Sequence, residues 1–143
     1  MTTIRKPCPP SFRTFGLAIQ ALVVLASNEH TCPSCTIADQ LQSEATLLRK
    51  ILATLARASL IETREGRDGG YRLLRPAEQI TLAEVYQALQ ISEELGRSME
   101  EATGSHPFGI MMQGVFASLV AELDESTMKV LEKHTIAELI SRA

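Results

Sequence analysis

Tryptophan is absent from the 143-residue chain, and aromatic residues make up only 4% of it. The interior must therefore be filled by Leu, Ile, Val, Ala and Met, a composition suited to helix packing. Cysteines number three, an odd count that argues against a disulfide framework. Long hydrophobic runs are missing too. The best, Leu17 to Ala26, is about half the roughly twenty residues that a membrane span needs. Arg5 and Lys6 imitate the start of a signal peptide, but Pro7, Pro9 and Pro10 interrupt it and no small-residue cleavage site follows. A cytoplasmic protein with no membrane partner is expected. No nucleophile–base pair, phosphate loop or juxtaposed carboxylate pair is recognisable, so no enzyme activity is expected.

An excess of positive charge is also lacking, since the formal net charge is −3. Its distribution matters more than its sum. Residues 1–42 carry a net +1, residues 43–75 a net +3, and residues 76–143 a net −7. Such segregation fits a basic working face on an acidic body, and equally a set of solvated faces. Apolar residues reach 45%, enough for a folded domain with a real core.

Ser11 opens a helix in which Phe12, Phe15, Ala18, Ile19, Leu22 and Leu25 recur at helical spacing, ending near Asn28. Glu29 to Cys35 reads as a connector. A short helix follows from Thr36 to Gln42, with Thr36 and Asp39 as a cap pair. Ser43 reads as the N-cap of the next helix, which runs to about Ala58 and buries Leu48, Ile51, Leu52 and Leu55. Two short helices joined by a tight turn, the second one basic, suggest a helix-turn-helix. Leu60 to Pro76 then reads as strand, Gly-rich turn and strand, a hairpin placed as a wing. Thr81 and Glu84 form a capping box for another helix. Residues 91–107, polar and interrupted by Gly96, Gly104 and Pro107, read as a loop or a frayed helix end. Pro107 suits the first position of a long helix reaching about His134. Its apolar stripe is longer than a small winged helix can cover, so part of it is expected to meet a second copy. Thr135 and Glu138 cap a last short helix.

The fold expected is mainly α with a small β-wing: a winged helix-turn-helix over residues 11–90, then a loop and long dimerisation helix over 91–143. Four segments sharpen this reading. They are the Leu48 to Leu55 run, the Gly66 to Tyr71 turn, the Ile80 to Val85 helix start, and Thr135 to Leu139. In this order, and over nearly the whole chain from Phe12, the sequence resembles the Rrf2 family of bacterial transcriptional regulators. The resemblance implies a two-fold dimer built on the long helix, and repression of promoters with inverted-repeat sites. Cluster-binding members of that family carry three cysteines before the long helix. Here residues 91–107 contain none, and His106-Pro107 stands where many members have Cys-Pro. An iron–sulfur cluster needs several thiolate or imidazole ligands, so no cofactor is expected.

The expected partners are double-stranded DNA and a second copy of the chain; nothing in the residues identifies an effector. Ser43, Glu44, Ala45 and Thr46 begin the recognition helix, where side chains reach base edges, and Arg49 and Lys50 lie a turn further on. Glu44 serves equally well as compensation for the helix dipole. Arg64, Arg67 and Arg72 are the wing cations, with Arg67 at the tip. Phe108, Met112, Val115, Phe116, Leu119 and Leu123 are the expected dimer contacts. Cys32-Pro-Ser-Cys35 precedes a helix N-terminus that favours a thiolate, and a C-x-x-C pair can close into a disulfide. Two inert structural thiols are the other reading. Geometry argues against a zinc site from Cys8, His30, Cys32 and Cys35 within one chain: a helix of about seventeen residues separates Cys8 from the rest by roughly 25 Å, so Cys8 joins only if its arm folds back or comes from the partner chain, and no metal is expected. Two rival functions are a winged-helix protein-interaction module, which would not need so many basic residues, and a thiol oxidoreductase, which lacks the strand–helix–strand context.

Overall fold

The structure, a computed structural model, describes residues 11–142. Cys8, weighed above as a zinc ligand and set aside, lies outside them. The first helix, α1 (Phe12–Ala26), starts where Ser11 Oγ accepts the Thr14 amide at 3.1 Å. Helical spacing puts Ala18, Ala21, Leu22 and Leu25 on its buried face.

Helices α2 (Ser34–Leu41) and α3 (Ala45–Arg57) form the helix-turn-helix, with two corrections to the expected boundaries. Helix α2 begins at Ser34 rather than Thr36, with Pro33 as its N-cap. Proline fits there because its φ is fixed and its missing N–H would have no partner. Thr36 therefore lies inside the helix. The N-cap of α3 is Glu44 rather than Ser43, and it makes no side-chain capping bond. Between the helices Gln42 takes a left-handed conformation (φ 52°), and the Ser43 amide donates to Ala38 O at 3.0 Å. This is the 6→1 bond of a Schellman ending. Leu48, Ile51, Leu52 and Leu55 are fully buried against α1 and α2. Each such side chain contributes roughly 1.5–3 kcal/mol of burial.

Strands β1 (Ile61–Arg64) and β2 (Gly70–Leu73) pair antiparallel, with Ile61 opposite Leu73, Glu62 opposite Arg72 and Arg64 opposite Gly70. The expected wing is present, with an addition. The connector before α2 pairs with the free edge of β2: Cys32 N donates to Tyr71 O at 2.9 Å and Tyr71 N to Cys32 O at 2.8 Å. The wing is thus hydrogen-bonded to the segment that feeds the helix-turn-helix.

Helix α4 (Leu82–Ala88) carries the expected cap, Thr81 Oγ1 accepting the Glu84 amide at 3.3 Å. Residues 91–107, expected as a loop or frayed end, are mostly helical: α5 spans Ile91–Glu101. Gln90, left-handed at φ 55°, ends one helix and starts the next without a glycine. Ile91 is buried, and Glu93 and Glu94 fill the first turn, where carboxylates complement the helix dipole. Helix α6 (Pro107–Leu131) is about 38 Å long by helix rise. His106 caps it, its Nδ1 accepting the Gly109 amide at 3.1 Å, and Pro107 takes the first position. The last helix, α7 (Ile136–Arg142), returns to pack on α1. Leu82 N donates to His134 O and Ile136 N to Ile80 O, each at 3.0 Å. These bonds fasten the C-terminal helix to the start of α4. No helix among the described residues is long and apolar enough to cross a membrane.

Candidate nucleic-acid interface

The face of α3 away from the core carries Ala45, Thr46, Arg49, Ala53 and Arg57, all exposed. Glu44, also exposed, stands at its N-terminal edge. Arg49, Ala53 and Arg57 follow at intervals of four and so line one stripe. Lys50 is half-buried beside it. Ser43 differs from the expectation of a base-reading side chain: its Oγ is buried and has no hydrogen-bond partner. Arg57 escaped the sequence reading, although its four-residue spacing from Arg49 through Ala53 was there to find. Its guanidinium donates to Thr54 Oγ1 at 3.3 Å.

Pairing along β1 and β2 places Glu62, Arg64 and Arg72 on one face of the wing. Glu62 holds Arg72 through a close ion pair and Arg64 at 4.0 Å. Arg67, in the turn, is exposed. Among the described residues Arg49, Lys50, Arg57 and Arg67 make no ion pair, whereas Arg75, Arg97 and Arg142 are all matched to glutamates. Four of the six cations without an ion pair among the described residues thus lie on the recognition helix and wing tip; Arg13 of α1 and Lys133 are the other two. Arg64, Arg67 and Arg72 also line a cleft of about 590 Å³ between the wing and the connector, which adds His30 and Thr31. Thr31 Oγ1 donates to the Asp68 carbonyl, tying connector to turn a second time.

The two cysteines sit differently. Cys35, in the first turn of α2, is exposed; Cys32, before the cap, is buried. Burial, then the neighbouring Cys35 charge, pushes the Cys32 thiol above its ordinary value. The expected helix-terminus activation does not reach Cys32, because that side chain lies in the core cluster rather than at the helix end.

On α6, Phe108, Val115, Leu119 and Leu123 are exposed along one stripe. Met112 is half-buried on the same stripe. Phe116, also half-buried, lines a groove toward α5.

Residues 13–142 match the family described as Rrf2, iron-dependent transcriptional regulator. Protein aau3 of Rhizobium meliloti is 38% identical over 93 residues, which cover 65% of this chain; the chain spans 59% of that relative's length. The HTH-type transcriptional regulator NsrR of Shouchella clausii is 26% identical over 133 residues, 91% of this chain and 86% of its own. The solved structure of CymR, the global cysteine regulator of B. subtilis, superposes with a TM-score of 0.66 at 17% identity, covering 100% of this chain and 99% of that one. That likeness shows a shared winged-helix fold. Residues 91–106, which lead into α6, do not fit an iron–sulfur cluster. They include no cysteine, and His106 Nδ1 is engaged as the helix cap. No group of three or more His, Cys, Asp or Glu among the described residues is placed to hold a metal ion.

Proposed function

The chain belongs to the Rrf2 family of transcriptional regulators, and on that premise we propose that it acts as a homodimeric repressor at inverted-repeat sites in duplex DNA. The observation that carries this reading is the cluster of Arg49, Lys50 and Arg57 on α3 with Arg67 at the wing tip, none of them in an ion pair. In this reading Glu44, Ala45 and Thr46 meet base edges in the major groove, and Arg49 and Lys50 follow a turn later. Arg57 contacts phosphate from the end of the helix. Arg67 reaches the adjacent groove from the wing, and Arg64 and Arg72 exchange Glu62 for phosphate. The exposed stripe of α6, Phe108 through Leu123, meets its copy across a two-fold axis. Two half-sites spaced by about a helical turn or a multiple of it then follow from the dimer.

Cys32 and Cys35 are proposed as a redox pair. A peroxide or a small disulfide accepts two electrons, the two thiols lose their protons, and one S–S bond forms. The Cys32–Tyr71 backbone pair supports a path from that bond to the wing.

The test is binding to the gene's own upstream region across a salt series, with the protein reduced and then mildly oxidised. Binding should fall steeply with salt, and Arg67→Ala, which removes one contact from each protomer of the dimer, should lower the log–log slope by about 1.8 without changing the fold. Oxidation should alter affinity in the native chain and leave Cys35→Ser unchanged. Leu119→Glu should shift the molecule to monomer in sedimentation and weaken DNA binding with it. Failure to select any duplex from a random pool would overturn the DNA reading and favour a protein-interaction module.

A further inference from the structure

Helices α5 and α6 run side by side in opposite directions. Gln113 Nε2 donates to Thr103 Oγ1 at 2.9 Å near one end, and Gly96 faces Val120 further along. Between them lies a groove of about 660 Å³. Its apolar part is made by Ile110, Phe116 and Val120. Gly96 and Gly114 border it from the two helices. A glycine inside a helix costs about 1 kcal/mol relative to alanine, and close packing does not account for these two. A Cβ at Gly114 would meet nothing within 4 Å, and at Gly96 only the Val120 methyl at 3.7 Å. Their effect is to leave the groove open.

The charge in the groove is of one sign. Glu93, Glu100 and Asp124 line it, and no lysine or arginine does. None of the three forms an ion pair among the described residues, although Glu94 and Glu101 share Arg97 and Glu125 has Lys129 on the same two helices. Asp124 Oδ1 is buried with no hydrogen-bond partner. A buried carboxylate oxygen left unpaired is costly, and an N–H from a cation satisfies it with a charge-assisted bond. The neighbouring Tyr86 hydroxyl is pushed up to about 12, first by burial and then by the Asp124 carboxylate beside it. The Asp124 end of the groove is thus anionic and partly desolvated, with apolar surface beyond it.

We propose that this groove binds a small organic cation, an ammonium head at Asp124 and Glu93 with an apolar body laid along Ile110, Phe116 and Val120. A second copy of the chain is the less suitable occupant, because the exposed apolar stripe of Phe108, Val115, Leu119 and Leu123 lies on another face of α6. The site stands whether or not the chain reads DNA.

The probe is hexylammonium, titrated calorimetrically into the full-length chain, with hexanoate and hexanol as controls. Hexylammonium should bind and raise Tm, and hexanoate should not bind. Asp124→Asn should weaken hexylammonium about tenfold, and Gly114→Leu, which fills the groove where nothing is displaced, should abolish binding. Ala117→Leu blocks the same groove should Gly114→Leu fail to fold. Glu132→Gln, outside the groove, should bind as the native chain does. Absence of hexylammonium binding, equal binding of hexanoate, or binding that survives a folded groove-filling variant would each overturn the proposal. So would dissociation of a dimer by Asp124→Asn, which would give the groove to a second copy. No arm of the experiment contains DNA, so its failure is separate from failure of the DNA reading.

Discussion

Replacing Gly70 by alanine tests how the wing is joined to the connector. Gly70 has φ +149°, a region that side-chain-bearing residues rarely enter. A Cβ there would lie 2.5 Å from the Cys32 carbonyl carbon, 2.6 Å from its oxygen and 2.8 Å from Pro33 N. All three are backbone atoms, so no side-chain rotation relieves the clash. Backbone strain of this kind costs about 1–3 kcal/mol. Moving the connector away also disrupts the two Cys32–Tyr71 bonds, each worth about 1 kcal/mol net. Gly70→Ala should therefore destabilise by about 3–5 kcal/mol in urea unfolding at fixed protein concentration. Gly16→Ala is the contrast. Gly16 lies inside α1 with nothing within 4 Å of its Cβ position, so alanine there should stabilise by about 0.5–1 kcal/mol. A loss of under about 1 kcal/mol for Gly70→Ala would refute the argument that the Cys32 backbone leaves no room.

Removing the cap hydroxyl in Thr81→Ala should cost about 1 kcal/mol, read as a lower urea midpoint with an unchanged m-value. Glu138 is held below the usual carboxylate range, first by its hydrogen bond with His134 and also by Arg142. Its contribution is present above its unfolded pKa and lost as pH falls through the lower folded one. Glu138→Gln should flatten that acid limb of a stability–pH curve, and an unchanged limb would assign it to other carboxylates. Iodoacetamide should modify exposed Cys35 well before Cys32, whose thiol is buried and raised; equal labelling by mass spectrometry would contradict the placement of Cys32 in the core.

Local chemistry made much of the fold legible in the sequence. The Thr81, Thr135 and His106-Pro107 helix starts lie where side chains of known capping geometry meet an apolar stripe, and each is bonded as such chemistry requires. The same reasoning failed where the backbone itself did the work. Gln42 and Gln90 adopt left-handed conformations that glycine or asparagine normally signals, which hid one helix boundary and the onset of α5. Pro33 starts α2 with no side-chain acceptor at all. The Cys32–Tyr71 pair joins residues far apart in sequence, and nothing local to either announces it. For the interface, the sequence favoured Arg67 at the wing tip but offered Arg64 and Arg72 beside it as further free cations. The register that sets Glu62 opposite Arg72 is what separates a compensated pair from a free cation.

That distinction gives the negative net charge a physical meaning. The carboxylates of the C-terminal half are arranged partly as partners, for Arg97, Lys129, His134 and Arg142, and partly as the unpaired set around the α5–α6 groove. Neither group neutralises the cations of α3 or Arg67. Opposite fields at separated sites let one small chain attract a polyanion at one place and a cation at another, and both attractions weaken as salt shortens the screening length. The two should nevertheless respond differently. Contacts with a duplex release many condensed counterions and lose affinity steeply with salt. A single ammonium resting on apolar surface depends far less on the ionic medium. A shallow salt dependence for hexylammonium beside a steep one for duplex would therefore separate the two sites on one chain without any substitution.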